Sequence, residues 1–167
     1  MNRVKCLVLD VDGVLTDSRI YFTDDGREMK AFNTKDGHGL KLIMRAGIQV
    51  AIITGRNSKA LEYRVKDLGI EHVIQGSKDK LTSLRELAQR LGINPGEMAY
   101  MGDDVVDLPA MKLSAVSIAP ADAVEMVRQK ADIVTDLPGG HGAVREAIEI
   151  ILKRMNLFDA VMERYVV

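Results

Sequence analysis

Six short apolar runs, each followed by a turn rich in Gly, Asp or Ser, constrain this chain more than any other feature. They are Cys6 to Leu9, Val50 to Ile53, His72 to Ile74, Ala99 to Met101, Ala115 to Ile118 and Ile133 to Val134. Runs without polar alternation are the pattern of strands buried on both faces. Between them lie stretches of helical period: Gly39 to Ala46, Ser58 to Leu68, Lys78 to Leu91, Val106 to Met111, Asp122 to Lys130 and Gly142 to Met155. Strands alternating with helices predict an α/β fold, a three-layer doubly wound parallel sheet. At 167 residues, one domain covering 1–167 is expected.

One segment breaks the alternation. Ser18 to Phe22 and Glu28 to Phe32 are β-prone runs about Thr23-Asp24-Asp25-Gly26-Arg27, and an Asp-Gly pair between such runs signals a hairpin. A β-hairpin insertion over about 18–32 is therefore expected, between the first strand and the first helix. With Tyr21, Phe22 and Phe32 exposed it would be marginal alone, so it is expected to pair with another subunit. The tail over 156–167 is too apolar for a solvated end. It reads equally as a continuation of the last helix on its own core and as a reach toward a neighbouring protomer.

The 23 basic and 24 acidic residues leave a net charge of -1, which gives no bulk attraction to nucleic acid or to an anionic membrane, so neither is expected as a partner. The single cysteine, Cys6, sits inside the first apolar run and reads as a small core residue. No signal-peptide pattern or membrane span is visible, and a cytoplasmic location is expected.

Asp10 and Asp12 directly follow the first run. Residues i and i+2 of an extended segment point the same way, so both acids converge where Gly13 turns the chain. Thr54, followed by Gly55 and Arg56, closes the second run. Lys80 stands in the first turn of a helix, and Asp103, Asp104 and Asp107 follow the fourth run. In a doubly wound sheet all of these fall outside the carboxyl ends of the strands, where ligands bind. Gathered acids repel one another unless a cation joins them, and an oxygen-rich set suits Mg²⁺. The Thr54 hydroxyl and nearby amides can donate to phosphoryl oxygens while Lys80 neutralises charge. That chemistry fits phosphoryl transfer through an aspartyl phosphate.

Asp10-Val11-Asp12-Gly13-Val14-Leu15-Thr16-Asp17, Ile53-Thr54-Gly55-Arg56, Lys80 and Gly102-Asp103-Asp104-Val105-Val106-Asp107 closely resemble the four motifs of the haloacid dehalogenase superfamily, in that family's order. The resemblance implies that Asp10 is the nucleophile and a metal ligand, and that Thr54 and Lys80 are catalytic. Asp12 would be the general acid and base, with its backbone carbonyl on the metal. Asp103 would be the third ligand, Asp104 held through water, and Asp107 behind them. Only about forty residues separate Asp12 from Thr54, so the enzyme is expected to be capless.

Phe32 to Leu40, Arg56 and Gly139 to Glu146 are further similar to the 3-deoxy-D-manno-octulosonate 8-phosphate phosphatase family. That similarity implies a sugar acid phosphate as substrate and a homotetramer whose hairpins form a central barrel and whose C-terminal segments close a neighbour's site. Lys35, Lys41, Arg56, Arg64 and Lys80 are expected to rim the pocket, with Arg56 and Arg64 as bidentate partners of the sugar carboxylate. The family usually has arginine where Lys41 stands. Asn33, Thr34 and Asp36 are expected near the sugar, with Gly37 allowing close backbone approach; Asp36 is alternatively a helix N-cap. Gly55 and Asp12 complete the substrate set. The alternatives are a nine-carbon sialic-type sugar acid phosphatase, which typically has an acidic residue where Arg56 stands, and, from another class, a phosphorylation-receiver or silent interaction module.

Overall fold

The computed structural model describes residues 4–166. In chain order the chain forms β1 (Cys6–Leu9), β2 (Tyr21–Phe22), β3 (Glu28–Met29), α1 (Thr34–Arg45), β4 (Gln49–Ile53), α2 (Lys59–Leu68) and β5 (His72–Ile74). There follow α3 (Lys80–Leu91), β6 (Met98–Met101), α4 (Leu108–Leu113), β7 (Val116–Ala119), α5 (Glu125–Lys130), β8 (Ile133–Val134), α6 (Ala143–Arg154) and α7 (Phe158–Met162). Short 3₁₀ turns cover Pro95–Glu97, Val105–Asp107 and Glu163–Tyr165. Six strands form one sheet in the order β5-β4-β1-β6-β7-β8, and every pair is parallel.

Alternation along β1 builds the three layers. Leu7 and Leu9 enter one core with Ile43, Leu61 and Ile148, from α1, α2 and α6. Cys6 and Val8 enter a second core, on the other face, with Leu84, Met111 and Val127 from α3, α4 and α5. Of the two β1 neighbours, β6 ends level with it and β4 one residue beyond, so the residues just past Leu9, Ile53 and Met101 open onto one shelf. That shelf is where a doubly wound sheet binds ligands. Only the hairpin and α1 lie between β1 and β4, and no cap domain interrupts them.

The expectations for the start of α1, for its N-cap and for Phe32 change. Helix α1 starts at Thr34 rather than Gly39, because the Asn33 side chain accepts hydrogen bonds from Lys35 N and Asp36 N at 2.8 and 3.3 Å. Asn33, not Asp36, is its N-cap. The hairpin ladder is only two residues a side, with Gly26 at φ +78 in its turn. Tyr21 and Phe22 are exposed as expected, but Phe32 packs against the first core. In the tail, Leu157, Phe158, Val161 and Met162 pack on the chain's own core, and Arg45 donates to the Tyr165 hydroxyl.

Candidate active site

Asp10, Asp12, Thr54, Gly55, Arg56, Lys80, Asp103 and Asp104 line one open pocket beyond the ends of β1, β4 and β6, with Ser18 and Val106 beside them. Gly13, at φ +88, turns the chain after β1; a side chain there would lie 1.9 Å from Asp103 Oδ2. Only glycine lets that turn pass beside the acid.

The pocket floor is a charged knot. One oxygen each of Asp10, Asp103 and Asp107 lie within 4.8 Å of one another. Lys80 Nζ is 2.8 Å from Asp10 Oδ2 and 2.7 Å from Asp107 Oδ1. Asp107 is fully buried. Its Oδ1 also accepts from the Tyr100 hydroxyl at 2.9 Å, and its Oδ2 faces the amides of Asp103 and Asp104 at 3.3 Å. With those partners its lone pairs are occupied, so the oxygens left for a ligand belong to Asp10 and Asp103.

The charges do not balance without a cation. Burial first, and then Asp107, push the Asp10 carboxyl up to about 6 against the pull of Lys80. Burial, Asp10 and Asp107 push Asp103 up to about 7. Burial works against the Lys80 ammonium too, but Asp10 and Asp107 outweigh it and hold its pKa above the ordinary value. Three carboxylates against one ammonium, with hard oxygen donors free, fit a divalent ion such as Mg²⁺.

A pH dependence follows. Both carboxyls have folded pKa values above their ordinary 3.8, so these two sites bind more protons in the folded chain than in the unfolded one from about pH 4 to about 7. Their contribution to stability is therefore present in acid and lost as pH rises through that window. A divalent cation held by these two carboxylates would compete with those protons, so the gain in melting temperature on adding Mg²⁺ over EDTA should be larger at pH 8 than at pH 5. An equal or larger gain at pH 5 would contradict this.

Asp12 stands apart from the knot. The acids that converge are Asp10, Asp103 and Asp107, not Asp10, Asp12 and Asp103; the Asp12 side chain instead pairs with Lys30, and Asp12 Oδ2 lies 4.0 Å from Arg56 Nε. Arg56 in turn pairs with Glu28. Thr54 is buried, and its Oγ1 accepts from Arg56 N at 3.4 Å. Asp104 caps the following 3₁₀ turn, accepting from Val105 N.

Several expected sugar contacts are occupied by protein. Asp36 is buried, and its carboxylate accepts from Gly142 N and Arg145 N at 3.3 and 2.8 Å, at the N-terminus of α6. Burial raises its pKa against those amides. The space beside Gly37 is filled by Arg64, whose NH2 atom lies 2.1 Å from where a Cβ would stand. Arg64 itself donates to Asn33 O at 3.2 Å and Asp67 at 3.1 Å. Asn33 Nδ2 donates to Gly140 O. Asn33, Asp36, Gly37 and Arg64 thus bind α1 to α2 and to the Gly139–Arg145 segment rather than lining the pocket. Thr34, Lys35 and Lys41 do not line it either. Sequence reasoning missed Lys30, Glu28 and Tyr100. The signals were present: Glu28 and Lys30 are i and i+2 on an extended run, and a tyrosine inside an apolar strand needs a partner for its hydroxyl.

The profile of the haloacid dehalogenase-like hydrolases matches residues 36–114. The chain is 44% identical over 158 residues to a 3-deoxy-D-manno-octulosonate 8-phosphate phosphatase, KdsC, of Salmonella typhi, covering 95% of this chain and 84% of that one. It is 46% identical over 149 residues to KdsC of Yersinia pestis, covering 89% and 80%. A crystal structure of the Moraxella catarrhalis phosphatase in complex with magnesium, phosphate and KDO superposes with a TM-score of 0.95, at 44% identity, over 98% of this chain and 94% of that one.

Proposed function

Because this chain belongs to the haloacid dehalogenase-like hydrolases, and among them to the 3-deoxy-D-manno-octulosonate 8-phosphate phosphatases, we propose that it hydrolyses that sugar acid phosphate to the free sugar acid and inorganic phosphate, with Mg²⁺ as cofactor. The observation that carries the reading is the Asp10–Lys80–Asp107 knot beside Asp103 at the strand ends. Bound to Asp10, Asp103 and the Asp12 carbonyl, the cation supplies charge neutralisation for an anionic phosphoryl group. An Asp10 oxygen attacks phosphorus, and the bond from phosphorus to the sugar oxygen breaks. Asp12 gives its proton to that oxygen, then takes one from the water that releases phosphate from Asp10. Thr54 and Lys80 hold the phosphoryl oxygens. With Mg²⁺ the eight-carbon sugar acid phosphate should release phosphate faster than a nine-carbon one, and EDTA should abolish release. Metal-independent release, or none from either sugar, would contradict the reading.

Arg56 takes the substrate carboxylate, exchanging it for Glu28. A charged hydrogen bond contributes about 1.5–3 kcal/mol, so Arg56→Ala should raise KM for the sugar acid about 10- to 100-fold. Steady-state assays on a phosphate ester without a carboxylate should show little change; equal losses on both would contradict the assignment.

The same reading takes residues 1–167 as one capless phosphatase domain, with the 18–32 hairpin and the 156–167 tail as accessories, acting in the cytoplasm as a homotetramer. Support for association lies in Ile20, Tyr21, Phe22 and Met29, all exposed on the two-stranded hairpin. Among the described residues no helix is long and apolar enough to cross a membrane.

A further inference from the structure

The hairpin does more than expose an apolar surface. Its return strand sends Glu28 and Lys30 back over the pocket, and the Lys30 ammonium donates to Asp12 Oδ1. The Lys30 side chain is 2% exposed, while that of Asp12 is 22% exposed. Glu28 flanks the pair, with Oε1 3.4 Å from Lys30 Nζ and its other oxygen on Arg56. Each catalytic aspartate therefore has a buried lysine of its own. Lys80, from a helix of the sheet, holds Asp10; Lys30, from the insertion, holds Asp12.

We infer that Lys30 is a positioning residue for the reaction: anchoring Asp12 Oδ1, it presents Oδ2 toward the leaving oxygen. The Asp12 side chain has two rotatable bonds on a loop, and among the described residues its ion-pair partners are Lys30 and, at 4.0 Å, Arg56. Arg56 is 42% exposed and engaged by Glu28, so Lys30 is the rigid contact of the two. Misplacement of a reacting group by about 1 Å costs on the order of 100-fold in rate. This inference rests on the phosphatase reading and assigns the hairpin a part in chemistry within its own chain.

The effect depends on the leaving group. An alkoxide from a sugar needs a proton as it departs, whereas a nitrophenolate does not, so a misplaced acid slows only the former. The quantity to measure is kcat/KM, which ends at leaving-group departure and excludes the later hydrolysis of the aspartyl phosphate. In Lys30→Met the ratio of kcat/KM for an alkyl phosphate without a carboxylate, such as a hexose 6-phosphate, to that for p-nitrophenyl phosphate should fall about 100-fold, so that binding of a carboxylate by Arg56 does not enter the comparison. Lys30→Arg should recover most of it. A Lys30→Met protein in which both substrates fall together, or in which the ratio is unchanged, would overturn the inference. If the unaltered protein hydrolyses neither ester with Mg²⁺, the phosphatase reading itself fails and this inference falls with it.

Discussion

Asp10→Asn should lower kcat by about 10⁴-fold or more, because it removes the atom that forms the covalent bond to phosphorus, and losses of that order follow deletion of a nucleophile. The same substitution should not lower the melting temperature of the metal-free protein. Burial and Asp107 already disfavour the charged form of Asp10, pushing its pKa up to about 6, so a neutral isostere removes a strained charge. Lys80 keeps its 2.7 Å contact with Asp107. Inactivity together with unfolding would mean that Asp10 is structural. Full activity would rule out the covalent route.

Asp107→Ala should have the opposite signature, a large loss of stability. The substitution strips a buried ammonium and a buried hydroxyl of a partner, and frees the amides of Asp103 and Asp104. Removing one member of a buried ion pair costs about 3–5 kcal/mol. Relief of repulsion on Asp10 and Asp103 offsets part of this, but burial is the larger cause of both raised pKa values and persists in the variant. Urea unfolding at pH 7 with EDTA measures the loss directly, and a change below about 1 kcal/mol would contradict the role given to Asp107. Activity should fall as well, since the Asp103 loop loses the carboxylate that aligns it.

Where the physics is local, the chain reads well. The strands were legible because β1, β4, β6 and β7 are buried on both faces, and such strands need continuous apolar runs. Asp10, Thr54 and Asp103 were legible because each is the first or second polar residue after such a run. The start of α1 was hidden by Gly37 and Gly39, which weaken a helical pattern and serve packing here: Gly37 makes room for Arg64 and Gly39 for Arg145. The partners of Asp36 in the fold, Gly142 N and Arg145 N, were not legible because they lie more than a hundred residues away. The stretches 32–40 and 139–146, which with Arg56 carry the resemblance to one phosphatase family, meet through Asn33 and Asp36, so part of that signature records packing. Lys30 was missed for the same reason on a shorter scale: its partner Asp12 is 18 residues upstream, reached only once the hairpin folds back.

The most direct test is to identify the atom that carries phosphate during turnover. The protein with Mg²⁺ and 3-deoxy-D-manno-octulosonate 8-phosphate is quenched in acid within the first turnover and treated with borohydride, which reduces an aspartyl phosphate to homoserine, and its peptides are sequenced. Homoserine at position 10, absent when EDTA replaces Mg²⁺ or when Asp10 is Asn, is the predicted result. Steady release of phosphate with position 10 unmodified, or with the label on another residue, would contradict it.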